Sequence, residues 1–300
     1  MNRLEIRDLP KLAKRRPDAH KGDFGHVFLL AGSRGMVGAG CLAAWGALRS
    51  GAGLVTVGCP ESLYPIFASK LTEAMGMPLP ETAGGALSVK GLEQIVEFAY
   101  NCKVVAVGPG MGRDPETAEL VRALAAKLDH VLILDADGLA AFAGCAEAFS
   151  ERRGPTLITP HPGEMGLLTG KSAAQVQEAR EETAAEFAGR FQVFAVLLKG
   201  AGTVVTDGEG LFVNPTGNPG MATGGSGDVL TGVAAGLVAQ RLDHFESGCL
   251  GAYVHGLAGD MAARKYGQIS MTAGDIVSCL PAAFESCRTG MLPRRNSARS

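Results

Sequence analysis

The sequence is poor in aromatic and charged residues and contains no long uninterrupted hydrophobic run. Aromatic residues make up 6% and charged residues 19% of the 300 residues, whereas 46% are hydrophobic, which is typical of a well-buried globular core. No segment approaches the ~18 consecutive apolar residues that cross a bilayer. Residues 1–5 lack the apolar stretch of a secretion signal. We therefore expect no membrane partner and a cytoplasmic location.

Neither an excess of one charge nor a pattern of paired cysteines is present. The formal net charge is −2, which does not favour a nucleic-acid partner. The basic stretches at residues 11–21 and 294–299 are short, and we expect both to be solvated ends. The seven cysteines are odd in number and form no Cys-x-x-Cys pair. The sequence thus predicts neither a disulfide framework nor a zinc site.

Short apolar runs alternate with longer helical segments along the chain. Strands are predicted at residues 26–31, 54–58, 104–107, 131–135, 156–159 and 193–199, with a hairpin formed by 203–206 and 210–214. Helices are predicted at 38–50, 89–100, 115–127, 172–189, 228–240, 246–266 and 272–283. This alternation predicts an α/β fold with a largely parallel central sheet and helices on both faces. We expect a single domain over residues 1–300, with a core at about 21–285 and flexible ends that fray after Ser286.

The most informative segment is the glycine-rich run at residues 215–232, which contains a single acid, Asp228. Three of its glycines, Gly224, Gly225 and Gly227, let the backbone turn sharply and point several N–H groups into one concavity. We expect Gly227 to adopt a backbone conformation that β-carbons disfavour. A carboxylate there suits a base that takes a proton from a hydroxyl while amides hold a phosphoryl group. The alternative is that Ser226 or Asp228 only caps a helix.

Further candidate residues follow other predicted strands, where ligands of open α/β sheets gather. Glycine-rich turns at residues 31–40 and 108–112 resemble phosphate-cradling loops, although neither matches the dinucleotide fingerprint. Asp135 follows the next strand and satisfies either local backbone amides or a ligand. His161 follows the strand after that and is either a structural or a functional residue. The segment 199–203, Lys-Gly-Ala-Gly-Thr, ends an apolar strand and suits a nucleotide phosphate or ribose.

Two motifs resemble known catalytic patterns but fail on spacing. Residues 166–172 have only three residues between the glycines of a would-be P-loop, and a helical pattern rather than a strand precedes them. Ser226 has Asp228 where the nucleophile elbow of serine hydrolases requires glycine. The sequence therefore predicts neither a P-loop nor a serine nucleophile.

Seven motifs in this order resemble the ADP/ATP-dependent NAD(P)H-hydrate dehydratases, relatives of the ribokinase-like small-molecule kinases. They lie at residues 21–26, 48–55, 108–112, 134–137, 159–165, 198–200 and 218–228. The Lys-Gly-Asp-x-Gly-His opening and the His-Pro-Gly-Glu loop are specific to the dehydratases, whereas Gly-x-Gly-Asp is shared with the wider superfamily. Related kinases have Asn-x-x-Glu where this sequence has His161 and Glu164. The resemblance implies a ribokinase-like fold.

The resemblance also implies an activity: dehydration of hydrated NADH or NADPH, with ADP or ATP as co-substrate and Asp228 as the base. The implied contacts of the hydrated dinucleotide are Ala39, Gly112, His161 and Asp228. The implied contacts of the adenine nucleotide are Lys199, Gly200, Ala201, Gly202, Thr203, Gly225, Ser226 and Gly227. Mg²⁺ is the implied cofactor, and Glu164 is a candidate to organise it through water. The resemblance further implies a homo-oligomer, with a tetramer as the candidate assembly, and functional pairing with an NAD(P)H-hydrate epimerase.

Two other functions stay open at this point. The first is a ribokinase-like kinase of a small alcohol, such as a thiazole or pyrimidine precursor, with Asp228 in the same role. The second is a nucleotide sensor without catalytic activity. Product analysis distinguishes the kinase from the dehydratase, because a kinase releases a stable phosphate ester and a dehydratase releases inorganic phosphate.

Overall fold

The computed structural model describes residues 1–289, which form one central sheet with helices on both faces. The strands are β1 (Asn2–Arg3), β2 (His26–Leu30), β3 (Leu54–Pro60), β4 (Met75–Leu79), β5 (Val104–Val107), β6 (Val131–Leu134), β7 (Thr156–Ile158), β8 (Ala195–Leu198), β9 (Val204–Thr206) and β10 (Gly210–Val213). Their order in the sheet is β1-β10-β9-β8-β7-β6-β5-β2-β3-β4. All neighbours run parallel except β9, which is antiparallel to β8 and β10.

The helices connect these strands and supply the regular structure of the described chain after β10. They are α1 (Val37–Arg49), α2 (Tyr64–Lys70), α3 (Leu92–Ala99), α4 (Pro115–Lys127), α5 (Ala136–Ala140), α6 (Pro162–Thr169), α7 (Ala173–Glu178), α8 (Arg180–Phe191), α9 (Ser226–Ala239), α10 (His244–Tyr266) and α11 (Ala273–Thr289). The largely parallel sheet and its two helical layers confirm the predicted fold class. Helix α11 continues beyond Ser286 to Thr289, whereas the basic stretch at residues 294–299 lies outside the described residues.

Two strands and three helices lie where no sequence pattern predicts them: β1, β4, α2, α5 and α6. Strand β4 contains Gly76 and Pro78, which weaken a strand and are tolerated mainly at the edge of a sheet. It is indeed an edge strand, since its one neighbour in the sheet order is β3. Strand β1 is only two residues long and pairs with β10 about 200 residues away, with the Asn2 N–H donating to the Glu209 carbonyl at 2.8 Å.

The core consists of two apolar layers, one on each face of the sheet. Along β2, Val27 and Leu29 belong to one layer, whereas Phe28 and Leu30 belong to the other. This alternation buries both faces of the strand, as expected for a parallel sheet between helices. None of the helices within residues 1–289 is both long and apolar enough to cross a membrane.

Helices α1 and α9 pack closely through small residues on the first face of the sheet. A β-carbon on Gly46 of α1 would meet the Val229 carbonyl oxygen, and one on Gly232 of α9 would clash with the backbone of Ala43. Since the two backbones nearly touch at these glycines, the first turn of α9 is fixed in relation to the sheet.

A close approach at Gly108 supports a first prediction. Gly108 has φ +135°, and a β-carbon there would clash with the Asp135 carbonyl oxygen. We expect Gly108→Ala to lower the free energy of unfolding by about 3–5 kcal/mol, because steric overlap adds to backbone strain. Gly144→Ala is the matched control: its φ is +73°, but no atom lies within 4 Å of the added carbon. The control should lose only about 1 kcal/mol in urea denaturation. Equal losses would contradict the prediction.

Candidate active site

The candidate site lies where the carboxyl ends of β5 to β8 meet the amino terminus of α9. Asp135 directly follows β6, Lys199 directly follows β8, and Asp228 is in the first turn of α9. In parallel sheets the carboxyl ends of neighbouring strands lie side by side. Here the amino terminus of α9 lies next to them. The structure thus brings together residues from segments separated by up to about 90 positions.

A buried ion pair between Lys199 and Asp135 links three elements of this site. The Lys199 ammonium donates to Asp135 Oδ1 at 2.6 Å, and the Thr231 hydroxyl donates to Asp135 Oδ2 at 2.6 Å. The Asp135 side chain is only 1% exposed. It makes no capping hydrogen bond to the helix that follows it, so the interpretation that it satisfies local amides is wrong. The pair instead connects β6 and β8 to α9.

Lys199 keeps its charge despite its burial. Burial lowers the pKa of the ammonium group, but the carboxylates of Asp135, Glu164 and Asp228 outweigh this effect and the pKa is raised. Its Nζ lies 3.7 Å from Glu164 Oε2 in addition to the closer Asp135 contact. The ammonium group is therefore held by protein carboxylates, and its contact with a nucleotide phosphate stays a prediction.

Asp228 occupies the third position of α9, which begins at Ser226 rather than at Asp228. The residue before the helix is Gly225, and no side chain makes a capping hydrogen bond at this amino terminus. The cap interpretation of Ser226 and Asp228 is therefore wrong. Burial, followed by repulsion from Asp135, raises the pKa of Asp228 to about 7, although Lys199 lowers it in part. A carboxyl group with this pKa can accept a proton near neutral pH.

The glycine with the unusual backbone conformation is Gly225 and not Gly227. Gly225 has φ +91°, and a β-carbon there would clash with the side chain of Leu42. Gly227 lies inside α9 without a positive φ, and its β-carbon would stand 3.3 Å from Lys199 Nζ. The expectation for Gly227 is thus wrong, because the helix begins two residues earlier than predicted. The sharp turn precedes the helix, and Gly225 makes it.

The segment that leads into this turn is attached to α10 by Asp260, a residue that sequence reasoning missed. Asp260 Oδ2 accepts from the Gly217 N–H at 3.1 Å, and Oδ1 accepts from Asn218 Nδ2 at 3.0 Å. The Thr216 hydroxyl donates to the Tyr253 carbonyl at 2.9 Å. Nothing in the sequence around Asp260 distinguishes it from other acids on a helix surface.

His255 on α10 is a second residue that sequence reasoning missed. Its side chain is buried, and within residues 1–289 its Nε2 has no hydrogen-bond partner. Burial lowers the pKa of the imidazole to about 4, with the Ser226 backbone acting in the opposite direction. The ring is therefore neutral at physiological pH and lies near the first residue of α9.

His161 has a structural role that the sequence left open. Its Nδ1 accepts from the Gly163 N–H at 3.0 Å and from the Glu164 N–H at 3.1 Å, while Glu164 Oε2 accepts from the His161 N–H at 2.7 Å. These reciprocal bonds form a capping box at the start of α6. Because Nδ1 is an acceptor, the neutral ring carries its proton on Nε2, which lies 3.3 Å from Glu164 Oε1.

The loop after β5 contacts both the loop after β2 and the first turn of α1, which contains Ala39. The Ser33 hydroxyl donates to the Gly110 carbonyl at 2.9 Å, and a β-carbon on Gly110 would lie 2.9 Å from the β-carbon of Ala39. The Gly112 N–H donates to Asp137 Oδ2 at 2.8 Å. The segments that carry two of the predicted dinucleotide contacts, Ala39 and Gly112, are therefore packed together, whereas the binding role of these residues stays a prediction.

The acidic residues fit an indirect Mg²⁺ site better than a protein cage. Within the described part of the chain, no group of three or more His, Cys, Asp or Glu side chains is arranged to hold a metal. Both oxygens of Glu164 already face protein groups, His161 and Lys199. Mg²⁺ keeps several waters when it binds with nucleotide phosphates. The donor set therefore fits contact between Glu164 and Mg²⁺ through water.

The pKa of Asp228 predicts a pH-dependent change in stability. Its pKa rises from 3.8 to about 7 on folding, so the folded state binds this proton more tightly than the unfolded state does. The resulting contribution to the free energy of unfolding is complete at acidic pH and is lost as the pH rises towards 7. We expect Asp228→Asn to be more stable than the parent at pH 8, by on the order of 4 kcal/mol, and to lose this advantage near pH 4. Thermal unfolding between pH 4 and pH 8 tests this, with the exposed Asp18→Asn as control. A difference independent of pH would contradict it.

Comparison with known proteins identifies relatives for nearly the whole chain. The family model described as NAD(P)H-hydrate dehydratase matches residues 27–282. The bifunctional NAD(P)H-hydrate repair enzyme Nnr of Moorella thermoacetica is 48% identical over 273 residues, covering 90% of this chain and 51% of that enzyme. The enzyme of the same name from Thermofilum pendens is 43% identical, covering 95% of this chain and 55% of its own length. The chain thus spans about half the length of these relatives.

Solved structures agree with the sequence comparison. The ADP/ATP-dependent NAD(P)H-hydrate dehydratase of Bacillus subtilis, co-crystallised with ATP and Mg²⁺, superposes with a TM-score of 0.80 at 30% identity, covering 94% of this chain and 96% of that one. Ribokinase from Arabidopsis thaliana shares the fold with a TM-score of 0.51 at 14% identity. The extent of the family match and the identity to its members show that this chain belongs to the NAD(P)H-hydrate dehydratase family.

Proposed function

We propose that this chain dehydrates hydrated NADH or NADPH at the expense of ADP or ATP, and so repairs damaged nicotinamide nucleotides. The observation that carries the proposal is the Asp228 carboxylate, which stands in the first turn of α9 with a pKa raised by burial to about 7. A group with this pKa is an efficient proton acceptor at neutral pH. The helix amino terminus beside it favours phosphoryl oxygens.

In the first step Asp228 takes the proton from the C6 hydroxyl of the hydrated nicotinamide ring. As this proton leaves, the hydroxyl oxygen attacks the terminal phosphorus of the nucleotide. A bond forms between this oxygen and phosphorus, and AMP leaves from ADP or ADP leaves from ATP. The amides of residues 225–228 stabilise the charge that develops on the transferred group. The ring then carries a phosphate ester in place of a hydroxyl.

In the second step inorganic phosphate leaves the ring. The bond between C6 and the ester oxygen breaks, with its electron pair leaving on phosphate. The neighbouring C5 loses a proton to water, which restores the C5–C6 double bond of NADH or NADPH. Phosphate departs far more readily than hydroxide, which explains why a dehydration consumes a nucleotide. The net products are the reduced dinucleotide, phosphate and the spent nucleotide.

The two substrates are assigned to different groups of residues around Asp228. We propose that the hydrated dinucleotide contacts Ala39, Gly112 and His161 beside Asp228, because the first turn of α1, which carries Ala39, packs against the loop that carries Gly112. For the adenine nucleotide we propose contacts with residues 199–203 and with Gly225, Ser226 and Gly227. Bound Mg²⁺ would neutralise phosphate charge, with Glu164 as its water-mediated contact.

A small-alcohol kinase is the second candidate function, because the base and the anion site would serve it equally well. His161, which stands where related kinases have the asparagine of Asn-x-x-Glu, favours the dehydratase. A sensor that binds nucleotides without turnover gives no reason for a carboxylate with a pKa near 7 at an anion site. The dehydratase therefore accounts for more of the site.

Partners and location follow from the proposed activity. The longer relatives are called bifunctional repair enzymes, which supports functional pairing of this chain with an NAD(P)H-hydrate epimerase. We also propose a homo-oligomer, with a tetramer as the candidate assembly, and a cytoplasmic location where NADH and NADPH are used. Size-exclusion chromatography with light scattering tests the assembly.

Replacement of the base tests the proposed chemistry. We expect Asp228→Asn to reduce turnover of hydrated NADH by ~10²- to 10⁴-fold while ADP still binds, because asparagine keeps the shape and removes the proton acceptor. The parent rate should fall as the pH drops below about 7, where Asp228 becomes protonated. Absorbance of the reduced ring and phosphate release measure turnover. Equal rates in the variant and the parent, or a stable phosphate ester as product, would reject the proposal.

The turn at Gly225 provides a test of the anion site. Gly225→Ala forces a β-carbon into a left-handed conformation and against Leu42, so the amides of residues 225–228 should shift. We expect this variant to lose the rise in melting temperature that ADP gives the parent. Gly170→Ala is the matched control, since Gly170 has φ +73° with no atom within 4 Å of the added carbon. It should keep the ADP-dependent rise, and loss of the rise in both variants would count against a specific role for Gly225.

A further inference from the structure

Arg180 is a partly buried arginine that holds two backbone carbonyls of the loop after β8. Its Nη1 donates to the Ala201 carbonyl at 2.6 Å, and its Nη2 donates to the Leu198 carbonyl at 2.8 Å. Burial lowers the pKa of its guanidinium group. One planar side chain therefore contacts the loop on both sides of Lys199 and Gly200.

The position of Arg180 is unfavourable for the arginine itself. It is the first residue of α8, where the partial positive charge of the helix terminus repels a cation. Within residues 1–289 its buried Nε has no hydrogen-bond partner, which carries a further cost. The local structure of α8 thus gives no reason for an arginine here, whereas the two carbonyls it holds do.

The contact also constrains the loop glycine that faces it. Gly200 has φ +146°, and a β-carbon there would stand 2.9 Å from Arg180 Nη2 and 3.1 Å from its central carbon. The backbone of the loop therefore lies directly on the guanidinium group. Only glycine at this position allows so close an approach.

Holding the carbonyls determines where the loop amides point. In a planar trans peptide the carbonyl and the following N–H point in opposite directions, so fixing the Ala201 carbonyl aims the Gly202 N–H away from Arg180. In the same way the Thr203 hydroxyl, 3.2 Å from the Gly200 carbonyl, fixes the direction of the Ala201 N–H. Within residues 1–289 no backbone carbonyl accepts from either N–H. The Gly202 N–H thus lies on the side of the loop opposite to Arg180, whereas the direction of the Ala201 N–H depends on Thr203.

We propose that Arg180 is a positioning residue for the adenine nucleotide: it holds the backbone on both sides of Gly200 through the Leu198 and Ala201 carbonyls, and through the Ala201 carbonyl it aims the Gly202 amide at a nucleotide phosphate or ribose oxygen. The proposal rests on the nucleotide role of residues 199–203 in the proposed function. It assigns Arg180 no contact with the hydrated dinucleotide. Its loss should therefore weaken nucleotide binding and leave the other substrate unaffected.

The test compares Arg180→Met and Arg180→Lys with the parent. We expect Arg180→Met to raise the nucleotide KM by roughly ten- to a hundredfold, because small misplacements of binding groups have effects of this size, with a smaller change in kcat and the KM for hydrated NADH unchanged. Arg180→Lys should have an intermediate nucleotide KM, since an ammonium group cannot hold both carbonyls as a planar fork does.

Arg152→Met is the matched control, because Arg152 also donates to backbone carbonyls but lies away from the loop. Its partners are the carbonyls of Ala125, Leu128, His130 and Pro155. We expect this variant to lose thermal stability and to keep the parent's nucleotide KM. A rise in nucleotide KM equal to that of Arg180→Met would mean that general destabilisation explains the effect, and would overturn the proposal.

Calorimetric titration with ADP alone separates this proposal from the proposed function. If the parent binds ADP but does not dehydrate hydrated NADH, the proposed activity fails while the Kd values still test Arg180. A parent-like Kd for ADP in either folded Arg180 variant overturns the proposal. Arg180→Lys keeps the charge and most of the side-chain volume, so it provides this measurement even if Arg180→Met does not fold.

Discussion

The buried ion pair between Lys199 and Asp135 is the interaction on which the arrangement of the site depends. It joins the ends of β6 and β8, and the Thr231 hydroxyl extends it to α9. A charge removed from water needs a partner of opposite charge and further hydrogen bonds to offset its loss of hydration. Asp135 receives the ammonium group of Lys199 as its partner and the Thr231 hydroxyl as a further donor. Removal of any member would leave a buried polar group unsatisfied, so the three elements are held together as one unit.

The raised pKa of Asp228 follows from this arrangement. The nearest contact of the Lys199 ammonium group is Asp135, so Lys199 lowers the pKa of Asp228 by less than burial raises it. Asp135, Asp137 and Glu164 add repulsion to the effect of burial. Burial together with a single lysine among several carboxylates thus gives Asp228 a pKa near neutrality.

The sequence predicted the fold class, most strands and a helix that begins near Asp228, because these depend on local periodicity and on one dense motif. It did not predict β4, where Gly76 and Pro78 argue against a strand and only its edge position makes it acceptable. It did not predict the pairing of Lys199 with Asp135, since 64 residues separate them and no local pattern encodes the contact. The sequence placed the sharp turn at Gly227, whereas the structure has it at Gly225. The helix begins two residues earlier than predicted, and this shift moves the turn to another glycine.

The close packing of α1 against α9 has a consequence for synthesis of the chain. Gly46 and Gly232 meet across an interface whose two sides are almost 190 residues apart, so the first helix remains without its neighbour until most of the protein has left the ribosome. At 5–20 residues per second this interval lasts on the order of 10 to 40 seconds. The face of α1 that packs against α9 is uncovered during that time, and late long-range contacts of this kind slow folding and leave apolar surface open to aggregation.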